Sequence, residues 1–205
     1  MYGDGLFWEK RSMMKITKAQ SQENRARIVE NASVMFREHG YDGVSVADLM
    51  GAAGLTHGGF YKHFASKADL MAETAASGIS QIINQAGGGN IQQFIDFYTS
   101  REHRDGRSGG CTMAALSGDA ARQSADIKAT FAAGIESILD TVERGRVLGD
   151  GDQDKVRAKA IDMFAHLLGA VVLSRACPDD SPLADEILDV CRRQILASLA
   201  TTSDD

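Results

Sequence analysis

Apolar positions recur at helical spacing along most of the chain. In "SQENRARIVENASVMFREHG", Ile28, Ala32 and Phe36 stand at i, i+4 and i+8, with Val29 and Met35 beside them. This pattern predicts a first helix that stops near Gly40. Tyr41, Asp42 and Gly43 make a turn. "SVADLMGAAG" predicts a short second helix, with Ser45 as N-cap, Val46, Leu49, Met50 and Ala53 on its apolar side, and Gly54 at its end. Thr56 is the N-cap candidate for a third helix with the body "HGGFYKHF". Two short helices joined by a tight turn at Gly54–Leu55 read as a helix-turn-helix. Ser66, with Asp69 after it, resembles a capping box and opens a fourth helix that runs to about Gln85. "AGGGN" at 86–90 then breaks the chain as a loop or a domain boundary.

Beyond that break come "IQQFIDFYTSREH", a Gly/Arg loop "RDGRSGG", and "CTMAALSGDAAR". A long helix, "SADIKATFAAGIESILDTVERG", follows, with Ile127, Phe131, Ile135, Ile138 and Val142 at helical spacing. "VLGDGDQ" reads as a loop. The last two patterns, "DKVRAKAIDMFAHLLGAVVLSRA" and "SPLADEILDVCRRQILASLA", meet at a turn, "CPDDSP". The fold class predicted is all-α.

Composition supports this reading. The chain has 205 residues, of which 43% are hydrophobic and 24% charged, as in an ordinary globular protein, and only Pro178 and Pro182 interrupt it. No apolar run reaches the ~18 residues of a membrane span. The N-terminus lacks the apolar core of a secretory signal, so residues 1–20 read as a disordered tail, with Met1, Met13 and Met14 all possible starts. Cys111, Cys177 and Cys191 are odd in number and form no CxxC, which points to reduced thiols in the cytoplasm. His39, His103 and His166 have no partner at metal-ligand spacing, so no metal or cofactor is expected. No GxSxG, HExxH, P-loop or dinucleotide motif appears, and an enzyme is disfavoured.

The net charge of −6 does not advertise nucleic-acid binding. Its distribution changes the picture, because residues 1–72 hold nine Lys/Arg and eight Asp/Glu, so the acidity belongs to the remainder. On a helix over 57–65, Phe60 and Phe64 define the inward side. Gly58, Tyr61, Lys62 and Ala65 fall opposite. That face lacks bulk at Gly58 and offers a phenol and an amine, groups that bond phosphate oxygens. Thr56 and His57 at the helix start are placed to reach base edges in a major groove. Gly58 and Gly59 each weaken a helix by about 1 kcal/mol relative to alanine, so their presence calls for a reason.

With these residues in view, the segment "RIVENASVMFREHGYDGVSVADLMGAAGLTHGGFYKHFASKADL" resembles the DNA-binding domain of the TetR/AcrR family of transcriptional regulators. The resemblance runs from Phe-x-x-x-Gly-Tyr through Ser-Val and Ala-Gly-Leu to Phe-Tyr-x-His-Phe and a lysine. It covers about a quarter of the chain. It implies an all-α homodimer with an N-terminal three-helix DNA-binding domain, here 21–68, and a C-terminal helical effector-binding and dimerisation domain, here 69–201. By the same resemblance, Ser45 meets a phosphate and Thr56, His57, Gly58 and Gly59 approach bases. Tyr61, His63 and Lys67 contact phosphates, while Lys62 falls at a variable position. The partner implied is a double-stranded operator with an inverted repeat.

For the C-terminal part the residues leave two readings open. Phe94, Phe97, Tyr98, Met113, Phe131, Ile135, Met163, Phe164 and Leu168 either line a ligand cavity or form plain core. Cys111, at a helix start with Arg104 and Arg107 upstream, is either a reactive, ligand-contacting thiol or a small buried residue. The two C-terminal helices, with small residues at Gly169, Ala170 and Ala176, suit a four-helix dimer interface. The function expected is a ligand-responsive repressor released from its operator by a small, largely apolar or electrophilic effector. The alternatives are an activator, a thiol-based sensor using Cys111, or a helical interaction module without DNA binding.

Overall fold

In a computed structural model, the described residues are 17–87, 90–145, 148 and 152–200. Among them lie nine α-helices and one short 3-10 helix, with no strand. The predicted tail at 1–20 falls largely outside these residues, as does most of "VLGDGDQ" and the centre of "AGGGN".

α1 is Lys18–His39 and starts three residues earlier than its apolar pattern predicted, because Thr17 accepts a bond from the Gln20 N–H at 3.1 Å. Gly40 ends it at φ 74°, the left-handed region that favours glycine. α2 is Val46–Ala52, closed by a capping box between Ser45 and Asp48. The predicted third helix is a 3-10 helix, His57–Lys62, and Thr56 makes no side-chain cap bond. Two glycines in so short a segment leave little α-helical preference, and the tighter winding suffices to point the ring of Phe60 inward.

α3 is Lys67–Gly87. Ser66 accepts from the Asp69 N–H at 3.1 Å, but the Asp69 carboxylate reaches the Ala65 N–H rather than that of Ser66. The segment predicted as one pattern after Asn90 divides into α4, Ile91–Tyr98, and α5, Arg101–Asp105, because Ser100 caps the second piece at the His103 N–H. α6 is Thr112–Ala120, α7 Ala125–Arg144, α8 Gln153–Arg175 and α9 Pro182–Ala200.

Ile28, Phe36, Leu49, Met50, Phe60 and Leu70 are fully buried where α1, α2 and the 3-10 helix meet the start of α3. Phe36 and Tyr41 pack edge to face at 5.1 Å, and Phe60 lies 5.5 Å from Phe64. α3 leaves this cluster to cross α6 and α7. A methyl at Gly134 of α7 would stand 2.6 Å from Ile79 Cδ1, and one at Gly78 of α3 would collide with the Thr112 hydroxyl, so both crossings depend on glycine.

Arg104 fastens α5 to the α8–α9 turn. It is 2% exposed and donates to the Ser174 and Cys177 carbonyls, the Ser174 hydroxyl and the carboxylates of Asp105 and Asp179.

Candidate nucleic-acid interface

Gly54, at φ 68°, turns the chain sharply between α2 and the 3-10 helix. The Leu55 N–H bonds the Met50 carbonyl at 2.8 Å, which fixes how one element leaves the other. Phe60 and Phe64 anchor the inner side, and the Arg25 guanidinium lies 4.5 Å over the Phe64 ring. Thr56, His57, Gly58, Tyr61, Lys62 and Ala65 are therefore exposed together, and Gly59 and His63 are half-buried beside them. Tyr61 is 69% exposed. The expected outward set survives the change from α to 3-10 winding because the two phenylalanines still decide the inner side.

The glycines differ from those at the helix crossings. A Cβ at Gly58 would meet no atom within 4 Å, and one at Gly59 would make only ordinary contact with Met50 and Thr56. Neither has a positive φ. Internal packing requires neither of them. Among the described residues, no hydrogen bond or ion pair occupies the side chains of His57, Tyr61, Lys62 or His63. Their donors face outward unused.

Two expected phosphate contacts are engaged within the chain. The Ser45 hydroxyl donates to the Asp48 carboxylate and accepts from the Asp48 N–H at 3.2 Å. These bonds hold the Asp48 carboxyl below its usual range. The Lys67 amino group donates to the Tyr41 carbonyl and lies 5.8 Å from the Phe36 ring centroid. Lys67 thus ties the α1–α2 turn to the start of α3. An ammonium has three donors, so two are left after this bond.

The C-terminal residues that were read as cavity or core fall into different places. A cavity of about 400 Å³ lies between α3, α4, α7 and α8. Phe94, Tyr98, Met163 and Phe164 line it, together with Ile82, Ile83, Ile91, Ile138, Val142 and Leu167, which sequence reasoning did not assign to a cavity. Nothing in a helical stripe separates a residue beside a void from one beside a neighbour. Phe97 and Ile135 face outward, at 47% and 37% exposure. Cys111, Met113 and Phe131 are buried in the core, and Leu168 is half-buried away from the cavity.

Cys111 departs furthest from its sharper reading. It is the N-cap of α6 and accepts from the Ala114 N–H at 3.5 Å, but it is 1% exposed. Burial pushes its thiol up, outweighing the nearby Tyr98 hydroxyl, the helix N–H groups and Arg175. Arg104, read as an activating cation, is turned into the α8–α9 turn instead. The bland reading, a small buried residue at a tight helix start, is the one the structure supports.

No three His, Cys, Asp or Glu side chains among the described residues are placed to hold a metal, and no helix among them is long and apolar enough to cross a membrane.

Comparison with known proteins agrees with this geometry. Residues 28–74 match the model of a family described as bacterial regulatory proteins, tetR family. Over 193 residues the chain is 28% identical to an uncharacterised HTH-type transcriptional regulator of Mycobacterium tuberculosis, covering 89% of this chain and 99% of that one. It is 36% identical over 61 residues to a probable acrEF/envCD operon repressor of Escherichia coli, covering 30% and 28% of the two chains. A TetR transcriptional regulator from Chloroflexus aurantiacus has the same fold, with a TM-score of 0.69 at 23% identity over 89% of this chain and 96% of that one. Helix-turn-helix, surrounding helices and relatives agree: residues 28–74 carry a DNA-binding region of the tetR-family type, and the whole chain has the fold of TetR-family transcriptional regulators.

Proposed function

We propose that the protein is a cytoplasmic repressor that holds its operator as a homodimer and releases it when a small, largely apolar molecule enters the cavity between α3, α4, α7 and α8. One observation carries this reading. α3 begins just after the recognition segment in the chain and packs on α1, and its later part, at Ile82 and Ile83, forms part of the cavity wall. A ligand in the cavity and DNA on the recognition segment thus act on the two ends of one helix. The ligand shifts DNA affinity by as much as it prefers one placement of α3 over another. The lining is overwhelmingly aliphatic and aromatic, with Thr141, Arg144 and the Tyr98 ring as its polar margins, which favours an apolar body. Cys111 does not line the cavity, and the proposal includes no covalent or electrophilic step.

The operator contacts proposed are Thr56, His57, Gly58 and Gly59 at base edges, with Tyr61, Lys62, His63, Ser45 and Lys67 toward phosphates. For Ser45 and Lys67 this adds to the internal bonds described. Two copies pair through α8 and α9, where Ile161, Val172, Leu173, Leu183 and Val190 are exposed and Gly169 has open space above it. Two recognition segments about 34 Å apart, or somewhat farther, fit an inverted repeat. Repression is the role named for the similar E. coli protein.

The test is fluorescence anisotropy of the protein with DNA from upstream of its own gene, repeated over a range of salt. Binding to an inverted repeat with a steep salt slope supports the proposal. Absence of specific binding at low salt overturns it in favour of an interaction module.

A further inference from the structure

A second concavity, of about 420 Å³, lies between the end of α1, the α5–α6 segment, α6 and the end of α8. Its charge is unbalanced. Arg25, Arg101, Arg104, Arg122, Arg157 and Arg192 each face a carboxylate. Arg37, Arg107 and Arg175 do not, among the described residues, and all three line this one concavity. Arg27 and Arg144 share that lack but lie elsewhere.

Two of the three guanidiniums, those of Arg37 and Arg175, are held in place by groups that leave their charge uncancelled. Arg37 donates to the Ser108 carbonyl and the Ser33 hydroxyl, both at 2.6 Å. Arg175 donates to the Arg104 carbonyl at 2.8 Å and the His103 carbonyl at 3.0 Å, and its remaining amino nitrogen is buried with no partner. Arg107 is exposed and its side chain has no partner. Of the acids at the rim, Asp119 is taken by Arg122 and by the Tyr41 N–H, leaving Glu38 to face them. A buried donor left unpaired costs about 1–3 kcal/mol, and Arg175 carries one while the like charge of Arg107 bears on it.

We propose that this concavity binds a small multivalent oxyanion, a polycarboxylate or a phosphorylated metabolite, through Arg37, Arg107 and Arg175. Its volume falls within the range of small-molecule sites. Planar guanidinium groups match paired oxygens, and their bonds to an anion are about twice as strong as neutral ones. The donors come from α1, which belongs to the DNA-binding region, and from α8 and the α5–α6 segment, which do not. An anion there relieves the repulsion between them and joins the two regions. Its occupancy is therefore coupled to DNA affinity, independently of the apolar cavity.

The test uses the full chain, with thermal unfolding and calorimetric titration against citrate and against inorganic phosphate, and sodium chloride at matched ionic strength as control. Citrate or phosphate should raise the unfolding temperature saturably where chloride does not. Arg107→Ala makes no internal contact, so it should unfold like the parent without anion and bind about tenfold more weakly with it. Arg107→Lys should restore part of that loss, and Arg193→Ala should change nothing. Tighter binding of citrate assigns a polycarboxylate, and tighter binding of phosphate a phosphate ester. Equal effects of chloride and citrate, or an Arg107→Ala that binds as the parent does, would overturn the proposal.

Discussion

The N-terminal region and the helices that follow it use the same residue types for opposite ends. Around the recognition segment, Tyr61, Lys62 and His57 stand exposed with their polar atoms unbonded, and the space above Gly58 is empty. Behind it, Arg104 is buried with its donors tied, and Gly78 and Gly134 are pressed against neighbouring helices. A fold satisfies its own buried polar groups and fills its own voids. Donors and spaces that it leaves unused on one face are available to something outside. The contrast separates residues that keep the molecule folded from residues that let it bind, and each half can be tested.

The largest effect should come from the buried side. Arg104→Ala removes the link between α5 and the α8–α9 turn, takes the donor from the Cys177 carbonyl and leaves that of Ser174 only its backbone bond from the Cys177 N–H. Urea unfolding should show a loss of about 2–4 kcal/mol, while the protein still folded in the absence of denaturant keeps its affinity for DNA. A loss of DNA affinity in the folded protein with unchanged stability would break the comparison from this side.

Next come the exposed donors. Tyr61→Ala and Lys62→Ala should leave unfolding within about 0.5 kcal/mol of the parent, since neither polar group has an internal partner. Each should weaken binding to every DNA sequence alike, by about 1–2 kcal/mol, and Lys62→Ala should lower the salt slope by about one. His57→Ala should instead alter the preference between operator variants. A uniform loss for His57→Ala would remove it from base recognition.

The same division explains what the amino-acid sequence disclosed. The DNA-binding region was legible in detail because its determinants are local: the helix-ending Gly40 and Gly54, the Ser45 N-cap, and Phe60 and Phe64 four apart. Its 3-10 winding was less legible, because α and 3-10 periods differ too little over six residues to show in an apolar pattern. Farther along, helical spacing located each long helix but could not say which residues border a cavity. Phe131 and Met163 have the same pattern, yet one is sealed in the core and the other lines the void. For Cys111 the sequence left two readings open for a related reason. Its position at a helix start is a local fact, whereas the burial that pushes its thiol up is tertiary. The bonds joining the two regions, such as Asp119 to the Tyr41 N–H, span too much sequence to be seen in it.

A smaller effect sharpens the contrast between glycines. Gly58→Ala and Gly59→Ala face open space or ordinary contact, so each should stabilise the free protein, by about 0.5–1 kcal/mol. The same changes should weaken operator binding, because the added methyl stands where DNA approaches. Opposite signs in the two measurements are the expected outcome. If both variants bind as tightly as the parent, the bare face is not a clearance.

The smallest effect lies where the two uses meet, at Ser45. The DNA-facing start of α2 is closed by an internal box, and its bonds hold the Asp48 carboxyl low. A carboxyl whose folded pKa is depressed adds stability above its unfolded value, and that stability is lost as pH falls through the folded pKa. The unfolded value is about 3.9, so the contribution should be whole near pH 6 and fade below about pH 4. Asp48→Asn removes the charge and with it this dependence. Urea unfolding of parent and variant should therefore differ near pH 6 and converge toward about pH 3. Because Asp48 is fully exposed, the difference should also shrink in high salt. A gap that stays constant from about pH 6 to about pH 3 would show that the box rests on shape rather than charge, and that Ser45 is free to turn to a phosphate without releasing Asp48.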